Sequence, residues 1–320
     1  MFQCKYFHRQ QLWGYMGNQA MRSGMLIIAG MAIVGLIDNF VGLILRDASI
    51  WQFHAFRTLI GLPVLVVAAL ILGQSTRLKR PLYVAGRSLV LAISMFLYFG
   101  SLPLMPIAQA GAGLFTAPIW VMVFSALLFR QRIGPRRLFA VVLGSLGVIA
   151  IMRPEAANFS PLTFMPIAAG AFYALANLMA RHWCAEEPTL GVLAGSFSAL
   201  GLIGAAILIA TTLINQPIDL TDTAAFLTMG YQAPTQTFWI WTIIQALGSL
   251  LAVGLMTRAY QSADTSYVTI FEYSFLLIAS FWGWQLNDQS IELRDILGMG
   301  LVILAGVVVA ISTERRASTA

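Results

Sequence analysis

Four stretches of this chain, Met25 to Ile37, Ile60 to Leu72, Leu138 to Met152 and Met299 to Ile311, contain no charged residue at all. Short polar joints separate these and other apolar runs of similar length, the pattern of a polypeptide that crosses a bilayer repeatedly. Only 10% of the 320 residues are charged while 59% are hydrophobic, and a soluble domain devotes about a quarter of its residues to charge. Too few charges are available to cover a water-facing surface, so the chain is expected to be an all-α integral membrane protein.

At about 20 residues per crossing, the runs predict ten helices near 24–44, 50–72, 88–104, 107–129, 136–152, 162–181, 190–213, 238–259, 265–286 and 293–312. Residues 1–23 and 313–320 form tails. The first run follows a basic segment without a small-residue cleavage site, so it reads as a retained helix and not a signal peptide. The net charge of +6 does not gather into a nucleic-acid-binding stripe. Instead the basic residues fall in the joints, 15 on the side of the N-terminus and three, Arg46, Arg153 and Arg294, on the other, with Arg57 inside a span. By the positive-inside rule both termini are cytoplasmic. Trp51, Trp239, Trp241, Trp282 and Trp284 sit at the predicted outer ends, and Trp13 and Tyr15 suit a tail segment on the inner surface. Cys4 and Cys184 fall on the cytoplasmic side, where no disulfide is expected.

The chain repeats itself. Asp38 and Arg57 stand 19 residues apart across a short joint, and so do Asn177 and Ser196, 139 positions later. An offset of 155 brings Pro118 onto Tyr273. Two halves of five spans each, 24–152 and 162–312, have an odd span count and must lie inverted relative to one another, an arrangement that supports alternating access around a site between the halves.

At these residues the sequence resembles the EamA repeat of the drug/metabolite transporter superfamily. The resemblance rests on the helix ending in Asp38, on Arg57, on Ala112 to Pro118 followed by Leu127-Leu128-Phe129-Arg130-Gln131-Arg132, and on Leu143-Gly144-Ser145-Leu146-Gly147-Val148. The second copy contributes Ser262-Ala263-Asp264, Glu272 and Leu297 to Val307, so that the two together run from about Gly24 to Ser312. The usual Glu-Pro step of the second copy is here Glu272-Tyr273, without the proline that would kink span nine, and Gln131 stands where the first copy commonly has Glu. The resemblance implies ten helices, the bacterial inner membrane, and import or export of a small organic metabolite or drug.

Charges inside spans carry the most information, because each costs about 2.5–3.5 kcal/mol or more at the bilayer centre unless paired or hydrated. Asp38 and Arg57 lie at matching depth and can pair, either as a structural bridge or as contacts to substrate or a coupling ion. His54 shares the helical face of Arg57. Glu272 has no basic partner in its own span, and a carboxyl whose protonation depends on the side it faces is a candidate for proton coupling; the alternative is one interhelical hydrogen bond to Gln245 or a nearby Tyr. Asn177 and Ser196 are the polar counterparts of Asp38 and Arg57. Tyr98, Phe99, Gln109, Phe115, Trp120, Tyr267 and Tyr273 lie in spans that the family resemblance sets around the cavity. Gly111, Gly113, Gly144, Gly147, Gly191, Gly195, Gly298 and Gly300 permit close helix approach.

No Walker A loop, H-E-x-x-H helix or G-x-S-x-G turn occurs in the sequence, so neither ATP-driven transport nor these hydrolase chemistries are expected. The sequence predicts no enzyme, no cofactor and no metal site. It predicts a secondary transporter with a small-molecule substrate and membrane lipids as partners, no nucleic acid, and a homodimer left open. A passive channel of the same fold and a membrane-embedded sensor are the alternatives.

Overall fold

The computed structural model of the chain describes residues 21–129, 135–152, 161–214, 224–262, 268–287 and 290–317. Among them helices α1 (Met21–Asp47), α2 (Ile50–Ile71), α3 (Pro81–Ser101), α4 (Ile107–Leu114), α5 (Ala117–Phe129) and α6 (Pro135–Met152) make up the first half. The second half holds α7 (Met165–Trp183), α8 (Thr189–Ile214), the short α9 (Ala225–Thr228), α10 (Gln236–Ser262), α11 (Ser274–Asn287) and α12 (Leu293–Ala317). Among the described residues, six helical stretches are long and apolar enough to cross a membrane: α1, α2, α3, Ile107–Leu128 spanning most of α4 and α5, α8 and α10. Leu70, Ile71, Leu82 and Leu213 are each more than three-quarters exposed, which water would penalise and lipid hydrocarbon does not.

Local sequence explains where the helices begin and tighten. Ser49 caps α2 by accepting the backbone N–H of Gln52 at 3.2 Å, and Gly73, at φ 59°, ends it. Pro81 opens α3 at its first turn, where its missing N–H costs nothing. The preceding joint is held by Glu187, whose carboxylate accepts the backbone N–H groups of Lys79 and Arg80, both at 2.8 Å. The third span therefore starts seven residues before the predicted 88, and Arg87, expected in a cytoplasmic joint, is a buried residue inside α3. Among the described residues three stretches wind as 3-10 turns, Pro161–Phe164 before α7, Asp38–Phe40 within α1, and Thr269–Tyr273 just before α11. The turn at Thr269–Tyr273 keeps an irregular entry to α11 although the proline is absent.

The main packing pairs join the two halves. Helix α2 lies on α8, α6 on α12 and α4 on α11, while α1 meets α10 and α3 meets α7; α2 also touches α10, as α3 touches α8. Small residues allow the closest of these approaches. A Cβ on Gly147 would meet the Gly298 carbonyl oxygen at 2.7 Å, and one on Gly298 would meet that of Gly147 at 2.8 Å. Gly144 faces Ala305, whereas a Cβ on Gly300 would have no atom within 4 Å and so makes no such contact. Trp51 donates its indole N–H to the Leu227 carbonyl at 2.7 Å, and Trp241 stacks on Phe40.

Candidate functional site

The helix pairing leaves a central cavity of about 100 Å3 bounded by residues of α1, α2, α3, α4, α7, α8, α10 and α11. Its walls are chiefly aliphatic and aromatic, with a few convergent polar groups, the usual make-up of a small-molecule site. Of the residues singled out in the sequence, Asp38, Arg57, Tyr98, Phe99, Phe115, Asn177 and Gln245 line it.

Asp38 is buried at the 3-10 turn of α1 and both of its oxygens are occupied. Tyr98 donates its hydroxyl to Oδ2 at 2.9 Å, and Gln245 donates Nε2 to Oδ1 at 3.1 Å and to the Ile37 carbonyl at 3.0 Å. Arg57, 4% exposed, does not form the ion pair with Asp38 that their matched depth suggested. Instead its Nε donates to Ser249 Oγ at 3.1 Å, and its guanidinium lies 5.1 Å from the ring centre of Phe99 and 5.2 Å from that of Phe197. Cation–π contact offsets part of the cost of burying this charge. One terminal nitrogen, Nη1, has no partner.

Arg87 repeats this arrangement one helix away. It is 4% exposed, donates Nη1 to Ser196 Oγ at 2.5 Å, and leaves Nε without a partner. Ser196 passes its own hydroxyl hydrogen to the Val192 carbonyl at 2.9 Å. Ser196 thus serves the cavity through Arg87 and not by lining it. Both arginines can be levelled against α8, which packs on both of their helices: Thr58 sits against Gly201, and Val84 and Ser88 against Gly195. Their backbones are about five residues apart in depth, or roughly 8 Å along the α8 axis, so the two long side chains enter the same cavity from neighbouring levels.

Glu272 is fully buried at the 3-10 turn before α11 and accepts the Tyr173 hydroxyl at 2.6 Å. A tyrosine is therefore its partner, while Gln245 goes to Asp38. Glu272 stands behind the cavity wall, and Tyr173 stands in it.

The lining repeats between halves with a regular spacing. Val34 and Asp38 of α1 stand 139 positions before Tyr173 and Asn177 of α7. Arg87, Leu91, Met95, Tyr98 and Phe99 of α3 stand 162 positions before Ser249, Val253, Thr257, Tyr260 and Gln261 of α10, and all ten line the cavity. By the same spacing Arg57 answers to Ser196. The bonds Arg57–Ser249 and Arg87–Ser196 are therefore equivalent contacts, with the first half supplying both cations and the second half both hydroxyls.

Other sequence candidates lie elsewhere. His54 is fully buried behind the cavity among Phe53, Phe96 and Phe99, at ring distances of 4.8, 4.9 and 5.1 Å, with neither ring nitrogen partnered. Gln109 borders a separate hollow with Ser280 and Asp295. Trp120 stacks on Phe124, and Tyr273 packs edge-on to Phe115 outside the lining. Tyr267, Gln131 and Cys4 fall outside the described residues, as do Trp13 and Tyr15; Cys184, by contrast, is a buried free thiol in the lining of the central cavity. Sequence reasoning missed Arg87, Tyr173, Ser249 and Tyr260. Two of these carried a signal: Tyr173 precedes Asn177, and Ser249 follows Gln245, by four residues, one turn along the same helix face.

Residues 21–153 match the model of the EamA-like transporter family. An uncharacterized transporter of Helicobacter pylori is 26% identical over 71% of this chain and 72% of its own length. A riboflavin transporter of Vibrio cholerae is 27% identical over 68% of this chain and 66% of its own. A crystal structure at 19% identity superposes with a TM-score of 0.66 over 93% of this chain and 98% of that one, which supports the fold. That family and these relatives are transporters, and the long apolar helices mark this chain as a multi-pass membrane protein. A larger open hollow of about 900 Å3 lies between the C-terminal part of α2, the α7–α8 joint and α10. Gln261 lines both that hollow and the central cavity; it donates to the Glu187 carbonyl at 3.0 Å and accepts from Thr189.

Proposed function

We propose that the protein is a secondary active transporter of a small organic metabolite or drug, working by alternating access in the bacterial inner membrane with both termini cytoplasmic. In this reading ten spans form two inverted five-helix repeats, residues 24–152 and 162–312. One observation carries it: the cavity lining recurs between halves at fixed spacings, with Arg57–Ser249 and Arg87–Ser196 as equivalent contacts across the divide. The packing agrees, since exchanging first-half for second-half spans turns the α1·α10 contact into α7·α3 and α2·α10 into α8·α3, and leaves α2·α8, α6·α12 and α4·α11 unchanged. A two-fold device of this kind can open to either side by breaking one set of inter-half contacts while keeping the other.

The cargo sits in the central cavity, between Arg57, Arg87, Tyr98, Asn177 and Gln245. At about 100 Å3 the cavity admits a group near the size of one aromatic ring, and larger cargo is accommodated as the walls part. Gln261 is the first contact to break on the side of the 900 Å3 hollow, which the distribution of basic residues assigns to the cytoplasm. Glu272, buried beside the wall and joined to it by Tyr173, is the coupling carboxyl: it exchanges a proton with whichever side the cavity faces. The test is uptake into proteoliposomes with and without a pH gradient. Gradient-driven accumulation supports the reading, and equal equilibration under both conditions favours a passive facilitator instead.

A further inference from the structure

Two buried cations line a cavity that offers them too few partners. The carboxylate sharing the lining, Asp38, has each oxygen engaged by Tyr98 or Gln245, and Arg57 and Arg87 each donate to one serine and keep another nitrogen bare. Both side chains are 4% exposed, so water does not readily replace the missing acceptors. A guanidinium buried with an open donor is costly, and the ligand that relieves the cost must bring negative charge and acceptor oxygens. Around the cations the walls are aromatic and aliphatic, including Phe99, Phe115 and Phe275.

We propose that the cargo is an organic anion: one carboxylate or phosphate-type group held by Arg57 and Arg87, on an apolar or aromatic body. The inference rests on the transporter reading above and adds its substrate class. Because both cations belong to the first half, the anionic group stays with that half as the cavity opens to either side. The body of the cargo slides along Tyr173, Val253 and Tyr260 of the second half.

The experiment uses the full chain in lipid nanodiscs and equilibrium dialysis with matched probes: indole-3-acetate, indole-3-acetamide and tryptamine, and the phenyl series of phenylacetate, phenyl phosphate, phenylacetamide and phenethylamine. At millimolar concentration at least one anion is retained, with its amide about tenfold weaker or worse and its amine not retained. Arg57→Gln and Arg87→Gln each weaken anion retention by about tenfold or more, Arg57→Lys and Arg87→Lys keep part of it, and Arg46→Gln, at an exposed position, leaves it unchanged. The Lys variants separate loss of charge from loss of fold. Retention of amides or amines as strong as that of the anions, anion retention indifferent to both Gln variants, or no anion retained at millimolar concentration overturns the proposal. Compounds that wild-type proteoliposomes accumulate from a mixed metabolite pool are sorted by charge in parallel: neutral or cationic cargo overturns the anion and leaves the transporter reading standing.

Discussion

The two walls of the cavity share a geometry and differ in charge. On the first-half wall stand Asp38, Arg57 and Arg87; the corresponding positions of the second half are Asn177 and Ser249 in the wall and Ser196 behind it, bonded to Arg87. Tyr98 answers to Tyr260, while the formal charges of the lining stand on the first-half side alone. In the proposed mechanism the difference separates two demands. Alternating access would need halves that pack alike, while binding the proposed anionic cargo needs only one set of charges, since a second set would add the cost of burial without a second cargo to offset it.

The largest effect is expected where the walls differ most. Arg57→Gln or Arg87→Gln removes a cation whose hydrogen bonds are worth about 1.5–3 kcal/mol each, so initial uptake rates in proteoliposomes fall by about 10- to 100-fold. The serine partners test the same contacts from the other wall: Ser196→Ala and Ser249→Ala lower uptake by about tenfold or less, and equal losses from serine and arginine variants would erase the asymmetry. The double variant Arg87→Ser with Ser196→Arg moves the cation across while preserving the pair. Its melting temperature in detergent recovers toward wild type relative to Arg87→Ser alone if the positions are equivalent.

The next effect concerns coupling. Glu272→Gln keeps the volume of the side chain and a group able to bond Tyr173, but it cannot exchange a proton. Uptake at symmetric pH persists while the response to an imposed pH gradient disappears, read as the ratio of initial rates with and without the gradient. A variant that keeps the wild-type ratio removes Glu272 from the coupling role and leaves it as packing polarity.

The smallest effect lies away from the cavity, where α6 and α12 are equivalent spans in contact. Gly147→Ala drives a methyl to within 3 Å of the Gly298 carbonyl oxygen and costs about 1–3 kcal/mol by overpacking, visible as a lower melting temperature. Gly300→Ala, with no neighbour within 4 Å, leaves it near wild type.

Much of this arrangement was legible because charges in apolar helices are rare. The 19-residue interval between Asp38 and Arg57, matched by Asn177 and Ser196, singles out three residues that line the cavity and a fourth that bonds Arg87. Arg87 escaped because a basic residue near a predicted joint reads as an orientation signal, although Pro81 marks where that helix begins. Removing Arg87 from the joints leaves the charge asymmetry strong. The expected Asp38–Arg57 bridge failed for a local reason: tyrosine and glutamine donors reach the carboxylate, and a serine and aromatic rings receive the guanidinium. Gln109, Trp120 and Tyr273 were assigned to the cavity by span and not by face, and helices apolar on every side give hydropathy no means to say which face is inward. The 3-10 turn before α11 shows the same limit, since no proline announces it.

Accumulation against a gradient tests the central claim most directly. Wild-type proteoliposomes and the Arg57→Gln variant are given a mixed metabolite pool under an imposed pH gradient, and internal contents are read by mass spectrometry. A compound concentrated above its bath level by wild type, and not by the variant, is the result the account predicts. A compound that merely equilibrates, at the same rate with or without the gradient and in both proteins, contradicts it.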